Sequence, residues 1–89
     1  MTRSEILVAF VTNLRRIAPS ADLASLDEST DLQALGADSL DLVEAIYRTM
    51  EEVQAPVPSR EISDVTTVGE LVTLLEQVAA GSRGSRVGG

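Results

Sequence analysis

The sequence predicts a small all-α bundle built from three main helices and one short helix. Apolar residues recur at intervals of three and four residues in three segments, which is the spacing of one buried stripe on a helix. Each segment begins at a side chain that can cap a helix, namely Thr2, Asp38 and Thr67. All three prolines lie between the segments, where they exclude helix. A chain of 89 residues fits one domain.

The first helix begins at a capping box. Thr2 is its N-cap, and Glu5 stands three residues later. Pro19 disfavours helical geometry at Ala18, so we expect the helix to end there. We expect Phe10, the sole phenylalanine, to anchor the core. The predicted apolar stripe consists of Ile6, Leu7, Phe10, Val11, Leu14 and Ile17.

A long connection spans residues 20–36. Leucines at 23, 26, 32 and 35 are spaced through it and are expected to hold it against the core. Residues 27–31 (Asp-Glu-Ser-Thr-Asp) form turns readily. They lack the ligand spacing, central glycine and distal glutamate of an EF-hand loop, so we interpret them as a surface loop.

The second helix is predicted over Ser39–Val53, with an apolar arc of roughly 220° that exceeds what one core face needs. One sector is predicted to face the core, and the adjacent sector to stay partly exposed. Exposed apolar residues rimmed by charge are typical of an interaction surface. The core sector contains Leu42, Ala45, Ile46, Thr49 and Val53, and the partly exposed sector contains Leu40, Val43, Tyr47 and Met50.

Two prolines after Gln54 end the second helix, and residues 59–64 are long enough for one short helical turn. Thr67 and Glu70 form another capping box. Gly81 is the expected stop of the last helix. We therefore predict a domain over residues 1–80 and a flexible tail over residues 81–89. The stripe of the last helix is Val68, Leu71, Val72, Leu75, Val78 and Ala79.

The composition restricts the function. The chain has no cysteine and no histidine, which removes the commonest nucleophile–base pairs and most transition-metal sites. Its net charge is −7, and residues 22–64 hold eleven acids against two arginines. Such a chain repels nucleic acid and anionic lipid and suits partners with basic surfaces. The longest apolar run, residues 6–11, is too short to span a membrane. Arg3 precedes this run as in a signal peptide, but Glu5 lies just ahead of the run, Arg15 and Arg16 follow it, and there is no clear small-residue cleavage site, so we expect a cytoplasmic protein.

Residues 35–42 read Leu-Gly-Ala-Asp-Ser-Leu-Asp-Leu, and the rest of the chain is arranged around them. Asp38 is a favourable N-cap, and Asp41 follows three residues later, close to a capping-box arrangement. Ser39 is then a hydroxyl at the positive end of a helix dipole. Free backbone N–H groups at that end favour an anion attached to its oxygen.

The Leu-Gly-Ala-Asp-Ser-Leu-Asp stretch resembles the attachment motif of acyl carrier proteins, and the resemblance extends from Thr2 to Ala80. It implies that Ser39 is esterified by 4′-phosphopantetheine, whose thiol holds acyl groups as thioesters. It further implies a non-catalytic, monomeric carrier that a phosphopantetheinyl transferase loads and that meets enzymes such as a ketosynthase or acyltransferase. The residues that the resemblance assigns to partner contact are Asp38, Leu40, Asp41, Val43, Glu44 and Tyr47.

The sequence departs from the housekeeping fatty-acid type of this family. Val53 stands where phenylalanine is frequent, residues 54–56 replace a more acidic stretch, and Arg60 adds a positive charge. These departures favour polyketide or other specialised biosynthesis. Aminoacyl or peptidyl carriers usually have Gly-Gly where this chain has Gly36 and Ala37, which favours an acyl carrier over them. Three alternatives stay open: an aminoacyl or peptidyl carrier, a helical interaction module without a prosthetic group, and an enzyme that uses carboxylates.

Overall fold

The computed structural model describes residues 2–81 and confirms the predicted all-α bundle within them. An isolated antiparallel bridge between Asp31 and Thr67 is the sole β-type pairing in that range. None of the helices in it is long and apolar enough to cross a membrane. The elements in chain order are α1 Arg3–Ile17, a 3-10 turn Leu32–Leu35, α2 Ser39–Val53, α3 Ser59–Asp64 and α4 Val68–Ala79.

Helix α1 begins at the predicted capping box. The Thr2 hydroxyl accepts the Glu5 N–H at 3.2 Å, and the Glu5 carboxylate accepts the Thr2 N–H at 2.7 Å. The hydrogen bond from the Thr2 backbone lowers the pKa of Glu5 below its ordinary value. The backbone N–H groups of Thr2 and Glu5 are therefore both hydrogen-bonded within the protein rather than to water.

Helix α4 begins at Val68, but its capping box differs from the prediction. The Thr67 hydroxyl accepts the Glu70 N–H at 3.1 Å, as expected. The Glu70 carboxylate instead accepts the N–H of Thr66 at 2.7 Å and its hydroxyl at 3.0 Å. The two donors of Thr66 converge on one carboxylate oxygen, so the reciprocal bond forms one residue earlier than predicted and lowers the pKa of Glu70.

The core lies where α1 packs against α2 and, less extensively, against α4. Phe10 is fully buried, which confirms it as a core anchor. Ile6 and Leu14 are also fully buried, whereas Leu7 and Val11 are half-buried. The predicted stripe of α1 is thus confirmed at its centre and partly exposed at its edge.

A buried polar contact joins α1 to α2. The Asn13 amide donates to the Thr49 hydroxyl at 3.2 Å and to the Glu52 carboxylate at 3.3 Å. The Thr49 hydroxyl in turn donates to the Ala45 carbonyl at 2.8 Å. Thr49 was predicted to face the core, and Asn13 was not. These bonds compensate for burying the Asn13 amide and the Thr49 hydroxyl.

The long connection is held to the start of α4 by backbone contacts. The Gly69 N–H donates to the Glu28 carbonyl at 2.8 Å, and the Leu32 N–H donates to the Thr66 carbonyl at 2.8 Å. A Cβ at position 69 would lie 2.8 Å from the Glu28 carbonyl oxygen, so this approach requires glycine. Leu32 is buried as predicted, as is Leu35, and the leucines at 23 and 26 are half-buried.

Arg3 adds a side-chain clamp across three elements. Its guanidinium donates to both Glu28 carboxylate oxygens, at 2.9 and 2.7 Å, and to Glu76 at 3.2 Å. The same group donates to the Gly69 carbonyl at 3.2 Å. The clamp therefore joins the start of α1, the long connection and α4.

Candidate functional site

The chain enters α2 through a tight turn at Gly36. This residue has a φ of 81°, in the left-handed region that glycine adopts without steric cost. Just before it, the Leu35 carbonyl accepts the Asp22 N–H at 3.0 Å. Asp31 caps the 3-10 turn by accepting the Gln33 N–H at 2.9 Å. These bonds fix the direction from which the chain reaches Ser39.

Asp38 is the N-cap of α2, as predicted. Its side chain accepts the Asp41 N–H at 2.9 Å, and its carbonyl accepts the Leu42 N–H at 3.0 Å. The Asp41 carboxylate makes no reciprocal bond back to Asp38 within residues 2–81. The cap therefore forms one half of a capping box.

Ser39 is the first residue of α2, and its side chain is exposed. In the described part of the chain, the N–H groups of Ser39 and Leu40 make no hydrogen bond, and neither does the Ser39 hydroxyl. The helix dipole and these open N–H groups stabilise an anion near the hydroxyl. The site thus fits an ester-linked phosphate. It offers the hydroxyl no hydrogen-bonded general base from residues 2–81.

The residues predicted for partner contact surround Ser39 and continue along α2; we call them the docking face (Asp38, Leu40, Asp41, Val43, Glu44 and Tyr47). The exposed fraction is 81% for Leu40, 42% for Val43 and 40% for Tyr47. Of the large apolar residues in the described range, one other is exposed, Val8 on α1. Asp38 and Glu44 are exposed, and Asp41 is half-buried. All six residues reach the surface: Asp38 and Leu40 are next to Ser39 in the chain, and the other four lie farther along α2.

The sequence-based assignment of Met50 to the exposed sector of α2 is wrong. Met50 is 7% exposed. The chain turns at Gln54, whose φ is 56°, and the Ala55 N–H donates back to the Met50 carbonyl at 2.9 Å. Ala55 and Val57 are buried, so the segment after α2 folds back over Met50. A helical wheel contains no information about this segment.

Two features beside the docking face were missed. Arg48 donates from Nε and Nη2 to one Glu44 carboxylate oxygen, at 3.1 and 3.0 Å. A groove of about 560 Å³ lies where α2 meets the following loop, and Tyr47 lines both the groove and the docking face. The spacing of Glu44 and Arg48 is a sequence signal for the ion pair. The groove depends on the fold of the loop and has no such signal.

The site contains no ready metal centre. Within residues 2–81, no group of three or more acidic, histidine or cysteine side chains is placed to hold a metal ion. The chemistry that these residues support directly is the covalent attachment of a group at an exposed hydroxyl.

Comparison with known proteins decides the family. Residues 6–75 match the family model described as a phosphopantetheine attachment site, which covers well over half of the chain. The chain belongs to the acyl carrier protein family. The cofactor of this family is 4′-phosphopantetheine, and its members serve as carriers.

Several relatives of this carrier are known. The polyketide biosynthesis acyl-carrier-protein AcpK of Bacillus subtilis (strain 168) is 32% identical over 75 residues, which cover 84% of this chain and 92% of AcpK. An acyl carrier protein of Clostridium perfringens (strain SM101 / Type A) is 40% identical over 50 residues, or 56% of this chain and 66% of the relative.

A solved structure shares the fold of this carrier. It is described as a crystal structure of the curacin biosynthetic pathway HMG synthase in complex with an acetyl donor-ACP. The matched chain is 30% identical, with a TM-score of 0.70, and the match covers 83% of this carrier and 95% of that chain.

Proposed function

We propose that Ser39 is the attachment site for 4′-phosphopantetheine and that this carrier presents acyl groups to enzymes of polyketide or other specialised biosynthesis. The observation that carries the proposal is the exposed Ser39 hydroxyl at the first residue of α2, which makes no hydrogen bond within residues 2–81. The likeness to AcpK over most of both chains supports the polyketide assignment.

The start of α2 is suited to hold the phosphate of such a group. The Asp38 carboxylate is engaged with the Asp41 N–H, so the N–H groups of Ser39 and Leu40 stay available for an anion. Because the chain has no cysteine, it cannot form a thioester from its own side chains. The attached group supplies a thiol on a flexible arm, and the protein supplies its position and its recognition by partners.

The docking face supports the recognition step. Leu40, Val43 and Tyr47 offer an apolar contact, and Asp38 and Glu44 surround it with negative charge. Electrostatic steering by such acids speeds encounter with a basic enzyme surface, and a small apolar patch lets the complex dissociate quickly. Both properties suit a carrier that visits a phosphopantetheinyl transferase and then an acyltransferase or ketosynthase.

An intact-mass measurement tests the attachment. The purified, folded and initially unmodified protein is incubated with coenzyme A and a broad-specificity phosphopantetheinyl transferase. We expect a gain of one phosphopantetheine in the wild type and in S63A, which removes an exposed helical hydroxyl elsewhere. S39A is expected to gain nothing. A wild type that gains nothing with several transferases would contradict the proposal and favour an interaction module.

A second assay tests the cargo. The loaded carrier is offered acyl and aminoacyl donors with their cognate transferring enzymes. Loading by acyl donors is expected. Loading restricted to aminoacyl donors would assign the chain to aminoacyl or peptidyl carriers instead.

A further inference from the structure

The groove at the C-terminal end of α2 continues the docking face. Tyr47 belongs to both. Of the apolar residues that line the groove, Tyr47 and Pro56 are exposed, and Met50 and Ala55 are buried. The left-handed turn at Gln54 brings the loop back beside the helix and creates this concavity. A partner that contacts Val43 and Tyr47 therefore reaches the groove without crossing another element.

The charge beside the groove differs from the charge beside Ser39. Asp38 and Asp41 flank Ser39, and neither forms an ion pair within residues 2–81, whereas Arg48, the sole basic residue of α2, lines the groove together with Glu44 and Glu51. The Glu44–Arg48 pair is more than half exposed at both side chains. An exposed pair of this kind contributes little free energy, so it exchanges partners readily.

We propose that the groove is a second contact for partner enzymes and that Arg48 makes it selective for one kind of surface. That surface presents an apolar side chain flanked by one carboxylate and by basic groups. The apolar side chain enters the groove, the carboxylate pairs with Arg48, and the bases pair with Glu44 and Glu51. This inference rests on the proposed carrier function, because it describes which partners that carrier admits.

The selectivity follows from local charge. A partner surface with basic groups alone is attracted by the net charge of −7, yet it places a cation against Arg48. A partner surface that also has a central carboxylate is less positively charged, so this chain attracts it less at long range. At contact, its carboxylate pairs with Arg48 and its bases pair with Glu44 and Glu51. Discrimination between partners often depends on such a repulsive element as well as on favourable contacts.

Two matched synthetic peptides test this proposal. Each is a helix of about 15 residues with the same apolar anchor. The first carries lysine, glutamate and lysine around the anchor, and the second carries three lysines. Their Kd values are measured by NMR titration of the full chain, loaded at Ser39 and unloaded, at about 0.15 M salt, where long-range attraction is screened. The first peptide is expected to bind about fivefold more tightly and to shift the amide signals of Tyr47, Met50 and Ala55.

Two charge-reversal variants separate local from net charge. R48E is expected to reverse the preference, so that the three-lysine peptide binds more tightly. R15E changes the net charge equally on α1, at an exposed residue without an ion pair in the described range, and is expected to keep the wild-type preference.

Three results would overturn the inference: tighter binding of the three-lysine peptide to the wild type, equal effects of R48E and R15E, or no shift at the groove. If a transferase still loads the chain at Ser39, each of these results leaves the carrier function in place. Failure of Ser39 to accept phosphopantetheine removes the carrier function itself, so the two failures are distinguishable.

Discussion

Helices α1 and α2 begin in similar sequence contexts but have different surroundings. At the start of α1, Thr2 and Glu5 satisfy each other, and the neighbouring Arg3 is bound by Glu28 and Glu76. At the start of α2, Asp38 satisfies one N–H. The Ser39 hydroxyl beside it is exposed and unbonded within residues 2–81.

The difference separates a structural contact around Arg3 from the proposed docking face on α2. Around Arg3, each charged group is paired with a group of opposite charge. The hydrogen bond to Glu28 raises the pKa of Arg3, and the hydrogen bonds from Arg3 lower the pKa of Glu28. On the proposed docking face, Leu40, Val43 and Tyr47 and the acids Asp38 and Glu44 are exposed. Substitutions on the structural side are therefore expected to change stability, and substitutions on the α2 surface are expected to change recognition.

The largest expected effect contrasts two apolar residues. F10A removes a fully buried ring and is expected to lower the free energy of unfolding by about 3–5 kcal/mol. L40A truncates a side chain that is 81% exposed and is expected to stay within about 0.5 kcal/mol of wild type. Urea denaturation followed by circular dichroism measures both. Equal destabilisation by F10A and L40A would contradict the distinction between the buried core residue and the exposed residue of α2.

A smaller effect is expected at Gly69. G69A places a Cβ 2.8 Å from the Glu28 carbonyl oxygen and is expected to cost about 1–3 kcal/mol, although alanine is the better helix former. T12A, on an exposed position of α1, provides the control in which helix propensity acts without a clash. If G69A is as stable as wild type in the same denaturation experiment, the backbone at Glu28 moves away from the added Cβ at little cost in free energy.

Much of this architecture could be predicted from the sequence, because it depends on local spacing. The bounds of α2 and α3 match the prediction, and the cap residues Thr2, Asp38 and Thr67 hold the predicted positions. The motif around Ser39 also led to the family that the comparison shows.

The remainder depends on contacts between distant parts of the chain. Met50 is buried by a loop that a helical wheel does not contain, and Arg3 pairs with residues 25 and 73 positions away. The role of Gly69 likewise depends on the carbonyl of Glu28. The predicted tail, apart from Gly81, lies outside the described residues, so that assignment stays a prediction.

The cap of α2 allows charge and capping to be separated. D38A removes the acceptor of the Asp41 N–H and is expected to cost about 1 kcal/mol. D38N keeps an acceptor without the charge and is expected to retain most of that stability. If the docking face is used as proposed, both variants raise the KM of the phosphopantetheinyl transferase. A KM that rises in D38A while D38N matches wild type would assign the effect to the cap.

The smallest expected effect concerns acid. The pKa of Glu28 is lower in the folded chain than its ordinary value. The bond from Arg3 to Glu28 therefore stabilises the fold at pH values above the ordinary pKa. The contribution is lost as the pH falls through the lowered value. The Tm of E28Q should therefore lie below that of wild type at pH 7, and the difference should shrink as the pH falls below the ordinary pKa of Glu28. A Tm difference independent of pH would show that the clamp acts through packing.

Locating the modification tests directly whether Ser39 is the attachment site. Cleavage after arginine releases residues 17–48 of the loaded protein, a peptide with four serines. Fragmentation in a mass spectrometer distinguishes them. We expect one phosphopantetheine on Ser39 and none on the serines at 20, 25 and 29. Attachment at another serine, or none in a folded protein that active transferases have treated, would contradict it.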